Sequence, residues 1–259
     1  MPTLTFSIQP DVFERLPNVR IVAVVATGID NSVPRPDLEQ RWREIWDATP
    51  ARFAGLGSAQ SHHRVAPWRT QMTSIGVSPK KHPVAIESIV RRAIKGGEPF
   101  MINPFVDWYN GVSLANVLPA GAFDAGDLLA SGGHLELRTT RDGDRFHVLG
   151  ADGPEPVAAG EIGYAIGGTI LTRHLAWRQS VEAMVTPATT SVIVMSETID
   201  AIERAEPGTV ESMRRAISDG LVESFGVEPA GTVLSAQAPF ASWDLAGTAR
   251  LLAAGAVAE

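Results

Sequence analysis

Apolar residues recur along the chain with two periods, and the two periods predict strands and helices in a mixed order. Alternation over residues 4–8 and a Val- and Ile-rich run over 19–27 predict strands. Helical periodicity predicts helices over 36–56, 83–95, 108–118 and 209–225, the last capped by Thr209. Strands over 135–139 and 145–149 flank an Asp-Gly turn and predict a hairpin, with more strands over 160–166, 169–175 and 191–196. This order predicts an α+β fold with a central mixed or antiparallel sheet flanked by helices, in a single domain.

Charge is unevenly distributed along the sequence. The net charge of the 259 residues is −7, yet the window from His62 to Lys95 holds seven basic residues and one acid, Glu87. We expect Glu87 and Arg91 to form an ion pair four residues apart on one helix. A basic window of this kind suits phosphate binding, and it equally suits a solvated loop and helix face.

Composition and motifs exclude several classes of protein. Cysteine is absent, which excludes a disulfide framework and a cysteine nucleophile. The N-terminus has no signal-like pattern and no apolar run is long enough to span a membrane, so a cytoplasmic protein without membrane contact is expected. No serine-hydrolase elbow, zinc-protease, P-loop or dinucleotide motif occurs. The adjacent His62 and His63 would diverge on a helix or strand, and His174 suits a packed histidine, so no metal and no cofactor are expected.

Three ordered blocks of sequence carry a specific pattern. They are WRTQMTSIGVSPKKHPVAIESIVRRAIKGG, INPFVDWYNGVSLANVLPAGAFD and GEIGYAIGGTILTRHLAWRQS. Together they resemble the B3/B4 domain, the editing module of the phenylalanyl-tRNA synthetase β-subunit, and most closely its free-standing members. The resemblance is strong over 68–180 and looser over the flanks of 19–226, and it implies one B3/B4-like domain over 1–259.

The resemblance implies a function and a partner. The synthetase module hydrolyses tyrosine attached to tRNA in error, so a free-standing copy is expected to act in trans on the acceptor end of a mischarged aminoacyl-tRNA. This aminoacyl-tRNA deacylase would hydrolyse an ester with a positioned water and a stabilised oxyanion, without metal or covalent nucleophile. Two departures leave the amino acid open: Gly121 stands where bacterial synthetases have a histidine, and the pocket glutamate aligns near Met195, with Glu197 two residues on.

Four polar residues are candidates for catalysis. Asn103, Asp107 and Asn110 are threaded through the second block, where they are expected either to cap a helix, with Asp107 as its cap, or to aim amides and helix N–H groups at a substrate oxygen. Glu161 follows Gly160 at the start of a strand and is expected either to orient water as a base or to be a solvated edge residue.

The third block supplies candidates for substrate binding. Arg178 and Gln179 are expected to hold the terminal adenosine, with Trp177 as a stacking surface. Arg173 is either a further binding residue or an ordinary ion-paired strand residue. Gly121, Met195 and Glu197 complete the expected amino-acid pocket.

The basic window supplies candidates for tRNA phosphate contacts, namely Lys80, Lys81, Arg92 and Lys95. An alternative function is a non-catalytic module that keeps the editing fold and binds tRNA ends or an amino-acid derivative. A hydrolase acting on a small molecule is a third function compatible with the sequence.

Overall fold

The computed structural model describes residues 3–245, which form two main sheets with helices packed around them. The strands are β1 Thr3–Ile8, β2 Arg20–Thr27, β3 Gly121–Asp124, β4 His134–Thr139, β5 Arg145–Phe146, β6 Glu155–Pro156, β7 Ile162–Ile166, β8 Thr169–Ile170, β9 Thr172–Arg173, β10 Arg178–Gln179, β11 Ser191–Thr198, β12 Ala230–Leu234 and β13 Phe240–Asp244. The helices are α1 Pro10–Arg15, α2 Pro36–Arg52, α3 Ala66–Ser74, α4 Ala85–Ile94, α5 Pro104–Asn116, α6 Ala125–Ala130, α7 Asp200–Ala205 and α8 Thr209–Phe225, with one 3-10 turn at Ala59–Ser61. The predicted α+β class with mixed and antiparallel sheets is confirmed.

The two sheets differ in the direction of their strands. The larger has the order β13-β1-β4-β7-β8-β5-β6 and is mixed, since β1 runs parallel to β4 and β5 parallel to β8. The smaller has the order β12-β2-β11-β3 and is antiparallel throughout. A short hairpin of β9 and β10 lies beside them.

The smaller sheet is built on two strands that are apolar along most of their length. Residues 21–27 of β2 and 192–198 of β11 are all buried. Such continuous burial is expected of strands covered on both faces. Helix α8 covers one of these faces, with Met213, Ile217 and Leu221 turned into the core.

The structure corrects several local predictions. The segments 135–139 and 145–149 do not form a hairpin, because β4 pairs with β1 and β7 while β5 pairs with β6 and β8. Helix α8 begins at Thr209, but its first N–H groups are bound by the carboxylate of Glu203, which accepts from the backbone N–H of Gly208 and of Val210 at 2.9 Å each. None of the helices in residues 3–245 is long and apolar enough to cross a membrane.

Helix α5 starts earlier than its periodicity predicts. Asn103 is its N-cap and accepts a hydrogen bond from the backbone N–H of Val106 at 3.0 Å, and Pro104 occupies the first helical position. Asp107 is therefore not the cap; it lies inside the helix and accepts from the backbone N–H of Ile102 at 3.0 Å. At the other end Val117 adopts a left-handed φ of 51°, a strained conformation for a β-branched residue.

Candidate functional site

A small pocket lies where β11, the turn before β3, and the β9–β10 hairpin meet, and we call it the β11 pocket. Its cavity volume is about 90 Å³. The predicted substrate-binding residues that line it are Gly121, Trp177, Arg178, Gln179, Met195 and Glu197. Residues as far apart in the sequence as Gly121 and Glu197 are thus brought together at one place.

Strand register places three of these side chains. Met195 pairs with Gly121 across the β11–β3 ladder. Met195 and Glu197 are two residues apart on a strand, so they project from the same face of the sheet. The absence of a side chain at Gly121 leaves open space above the strand beside Met195.

The floor of the pocket is a hydrogen bond between two buried side chains. The hydroxyl of Tyr164, on β7, donates to Oε1 of Glu197 at 2.7 Å. Burial raises the pKa of Glu197 to about 7, although the hydrogen bond from Tyr164 acts in the opposite direction. Burial and the neighbouring carboxylate raise the pKa of Tyr164 well above its ordinary value, so the phenol remains a donor. Glu197 can therefore hold or release a proton near neutral pH.

The hairpin reaches the pocket because β7 has a glycine at its closest approach to β9. A Cβ on Gly163 would lie 2.2 Å from the carbonyl oxygen of Thr172. The turn that follows contains two consecutive left-handed residues, His174 at φ 49° and Leu175 at φ 64°. The backbone N–H of Leu175 then donates to the carbonyl of Ile162 at 2.6 Å, which fixes the turn against β7.

Contacts to neighbouring elements fix the far arm of the hairpin. Gln179 donates from Nε2 to the carbonyl of Ala122 at 3.0 Å. The ring of Trp177 meets that of His82 edge to face at a centroid distance of 4.3 Å. Arg178 is exposed at the rim. Two polar groups and an indole therefore stand at the entrance, with Glu197 beneath them.

Arg173 and Glu161 lie outside the pocket and bind each other. The guanidinium of Arg173 donates from Nε and Nη2 to the two oxygens of Glu161, at 2.6 Å and 2.5 Å. Nδ1 of His174 lies 3.4 Å from the same carboxylate. The pair anchors the base of the hairpin, and the geometry gives Glu161 no direct access to the β11 pocket.

The three remaining catalytic candidates lie on or before α5 and do not line the β11 pocket. Asn103 is buried and its Nδ2 donates to the carbonyl of Val185 at 3.3 Å, beyond its role as cap. Asp107 and Asn110 are buried in the helix. Burial raises the pKa of Asp107 to about 6, and its carboxyl borders a separate cavity of about 260 Å³ between α2, α5 and α8.

The predicted tRNA-binding side chains are all exposed, on α4 and around its two ends. Lys80 and Lys81 precede the helix. Arg92 lies on its exposed side, and Lys95 comes directly after its last residue. The guanidinium of Arg92 lies 4.6 Å from the ring centroid of Phe100.

The expected ion pair between Glu87 and Arg91 is not formed. Glu87 is buried and accepts instead from Nη1 of Arg69 at 2.8 Å, while Arg91 is exposed.

The sequence analysis missed residues whose side chains could take part in binding or proton transfer. Tyr164 lies in the third block, but only the fold shows that its hydroxyl meets Glu197. His62 and His63 do not diverge; their rings stack at a centroid distance of 4.2 Å. Within residues 3–245 no three His, Asp or Glu side chains are grouped so that they could hold a metal ion.

Known proteins resemble this chain in sequence pattern and in fold. The B3/4 domain family matches residues 67–212, more than half of the chain. Among solved structures, the chain resembles an N-terminal fragment of the phenylalanyl-tRNA synthetase β-subunit from Pyrococcus horikoshii, with 10% sequence identity and a TM-score of 0.43. That similarity covers 89% of this chain and 50% of the other, so this chain matches about half the length of the fragment. No curated protein matches. On the extent of the family match, the chain belongs to the B3/4 domain family.

Proposed function

We propose that this protein is a free-standing hydrolase that deacylates a mischarged aminoacyl-tRNA at its acceptor end. The observation that carries the proposal is the β11 pocket, where three distant parts of the sequence place an exposed cation, an amide, an indole and a titratable carboxyl together. We propose in addition that the whole chain acts as one B3/B4-like domain.

The dimensions of the pocket suit one part of the substrate. A cavity of about 90 Å³ is well below the roughly 300–1,000 Å³ typical of sites for drug-sized ligands. It has room for an amino-acid side chain, while the adenosine that bears it remains at the entrance. Trp177 offers a face for the base, and Arg178 and Gln179 offer donors for ribose and phosphate oxygens.

The chemistry requires an added water and a stabilised oxyanion. Water attacks the ester carbonyl, the bond between that carbon and the ribose oxygen breaks, and a proton of the attacking water ends on the leaving ribose oxygen. Donors at the rim, Arg178 first, stabilise the charge that develops on the carbonyl oxygen. Glu197, at the floor of the cavity, holds the bound side chain in place. Asn103, Asp107, Asn110 and Glu161 do not line the β11 pocket, so this proposal gives them no part in the step.

One observation favours a second function, that of a binding module without hydrolysis. Tyr164 already occupies one oxygen of Glu197, and the carboxyl lies at the floor rather than at the rim. A module with this floor would recognise a tRNA end or an amino-acid derivative without attacking it.

A deacylation assay distinguishes the two functions. The purified protein is incubated with a panel of mischarged tRNAs, including tyrosine on the tRNA specific for phenylalanine, beside an Arg178→Ala/Gln179→Ala variant and a Glu197→Gln variant. Arg204→Ala, which removes an exposed cation on α7, is the matched control. Release from one substrate that is lost in the double variant and kept in the control supports the hydrolase. Binding of tRNA without release from any substrate supports the module.

A further inference from the structure

A stack of three rings ends at the surface on the side of α5 away from its N-cap. Phe53 and His62 stack with centroids 4.8 Å apart, and His62 and His63 stack with centroids 4.2 Å apart, both at an interplanar angle of 28°. His62 is buried between the other two, whereas the side chain of His63 is 58% exposed. The stack therefore presents an imidazole face to solvent on a rigid support.

The middle ring of the stack is neutral. Burial, followed by the charges of His63, Arg64 and Arg52, lowers the pKa of His62 to about 4. Its Nδ1 accepts the backbone N–H of Arg64 at 3.1 Å, which fixes the orientation of the ring. The central ring therefore carries no charge at neutral pH and stacks on its neighbours as a neutral imidazole.

Two arginines flank the stack and line the same cavity, of about 400 Å³. Arg52 is exposed and donates from Nη1 and Nη2 to the carbonyls of Leu114 and Ala115, at 3.2 Å and 2.9 Å. Arg64 donates from Nη1 to the carbonyl of Asn116 at 2.6 Å. The last turn of α5 holds both guanidiniums in place, so little side-chain entropy remains to be lost when an anion binds.

One acid borders the cavity and limits its positive charge. Glu206 lies 2.5 Å from Nη2 of Arg64 and 2.7 Å from Nε2 of His63. Glu206 forms no ion pair with Arg52. The charge of Arg52 is therefore not offset by this acid, and an incoming phosphate would be attracted most strongly to Arg52. Glu206 weakens anion binding here, and its removal should strengthen it.

The cavity lies next to the β11 pocket along the chain. Val117 lines the cavity and Pro119 lines the β11 pocket, so at most about 7 Å of extended backbone separates them. The left-handed φ of Val117 sets the direction of this short connection. The two cavities therefore border the same short buried segment, residues 117–119.

We propose that Phe53, His62, His63, Arg52 and Arg64 form a platform for an unpaired nucleotide of single-stranded RNA, with its base on His63 and its phosphate at Arg52. Aromatic faces beside fixed cations are the elements with which proteins hold unpaired nucleotides. This inference rests on the proposed function, in which the single-stranded acceptor end of a tRNA reaches the β11 pocket. It adds a contact that the exposed lysines around α4 do not provide, because they offer charge without a stacking surface.

The test measures binding of the full chain to a fluorescein-labelled single-stranded RNA hexamer by anisotropy, over a range of salt concentrations. A duplex of the same length is the comparison ligand. His63→Ala removes the exposed ring, His63→Phe restores it, and Arg52→Gln keeps donors for the carbonyls of α5 without the charge. Glu206→Gln removes the acid, and Arg204→Ala is the control cation on α7. Circular dichroism melting checks that each variant is folded.

The expected result has four parts. His63→Ala weakens binding by about 5-fold or more, the range for one stacked base, and His63→Phe returns it to within 2-fold of the wild type. Arg52→Gln weakens binding and reduces the slope of log affinity against log salt by about 0.7, the contribution of one phosphate. Glu206→Gln binds more tightly. The duplex binds less tightly than the hexamer and is insensitive to His63→Ala.

Other results overturn the platform. Wild-type affinity in folded His63→Ala, equal loss in His63→Ala and His63→Phe, or no RNA binding by the wild type would each do so. Failure of the proposed function is a separate outcome, because RNA binding with this pattern and no deacylation leaves the platform standing. Deacylation with unchanged KM in His63→Ala removes the platform and leaves the hydrolase.

Discussion

The carboxyl of Glu197 should make the stability of this protein depend on pH in a direction opposite to that of an ordinary ion-paired carboxylate. Its pKa is about 7 in the folded protein and 4.5 in a model peptide, chiefly because burial penalises the charged form. At about 1.4 kcal/mol per pKa unit, this difference corresponds to about 3 kcal/mol. The substitution Glu197→Gln abolishes this pH-dependent contribution to stability and keeps an oxygen that can accept the hydrogen bond from Tyr164.

The sign follows from proton linkage. Between pH 4.5 and about 7 the folded protein keeps a proton on Glu197 that the unfolded chain releases. The free energy of unfolding therefore falls as pH rises through this window, and the loss is complete above the folded pKa. From pH 5 to pH 8 the wild type should lose about 2.5 kcal/mol more than Glu197→Gln.

Urea denaturation at pH 5, 6, 7 and 8 measures this difference, with the midpoint and slope fitted for both proteins. Other titrating groups, Asp107 among them, contribute equally to both proteins and cancel. Tyr164→Phe is the matched variant. It removes the hydrogen bond that lowers the pKa of Glu197, so the stability of this variant should go on falling to a higher pH than that of the wild type. Stability curves for the wild type and Glu197→Gln that run parallel within about 0.5 kcal/mol, the usual additivity error, would refute the reasoning.

Three further substitutions test individual contacts of the fold, each by the urea midpoint of the purified variant. Gly163→Ala places a methyl group against the carbonyl of Thr172 and should cost at least the 1–3 kcal/mol typical of overpacking, with an unchanged midpoint contradicting the close approach. Arg69→Met leaves the buried Glu87 without its ion pair and should cost about 3–5 kcal/mol at pH 7, and an unchanged midpoint would contradict the role of the pair. Asn103→Ala removes the cap of α5 and should cost about 1–2 kcal/mol, and a smaller loss than that of a surface control would exclude the capping role.

Periodicity predicted the helices and strands that bury apolar side chains. It failed where polar contacts or strand pairing determine where an element begins and what it pairs with. Helices α2 and α8 and strands β2 and β11 lie where the pattern places them, within a few residues. The start of α5 was misplaced because Asp107 was predicted to be its cap, whereas the helix begins at Pro104 after the cap Asn103, a position at which proline is favoured. The predicted Asp-Gly turn forms, since the backbone N–H of Asp144 donates to the carbonyl of Arg141 at 3.1 Å, but the hairpin over 135–149 failed because the strands on either side pair with other strands.

Apart from Arg173, the residues predicted to bind substrate line one pocket, whereas those predicted for catalysis do not line it. Motif resemblance placed Gly121, Met195 and Glu197 in one pocket, since those residues are adjacent in β3 and β11. It could not reveal the partner of Glu197, because Tyr164 lies 33 residues away on a strand of the other sheet. Contacts of this kind depend on how the two sheets pack, which no local pattern encodes.

The pairing of Tyr164 with Glu197 changes what the pocket can recognise. A carboxylate with both oxygens free accepts two hydrogen bonds from a ligand and selects for donors. Here one oxygen is taken by a hydroxyl of the protein itself, and burial raises the pKa of the carboxyl to about 7, so that both protonation states are accessible near neutral pH. The group that remains can donate to a ligand or accept from it, at the end of an apolar cavity of limited size. In the proposed function such a floor accepts a side chain that either donates or accepts a hydrogen bond there, and disfavours one that leaves the buried carboxyl without a partner.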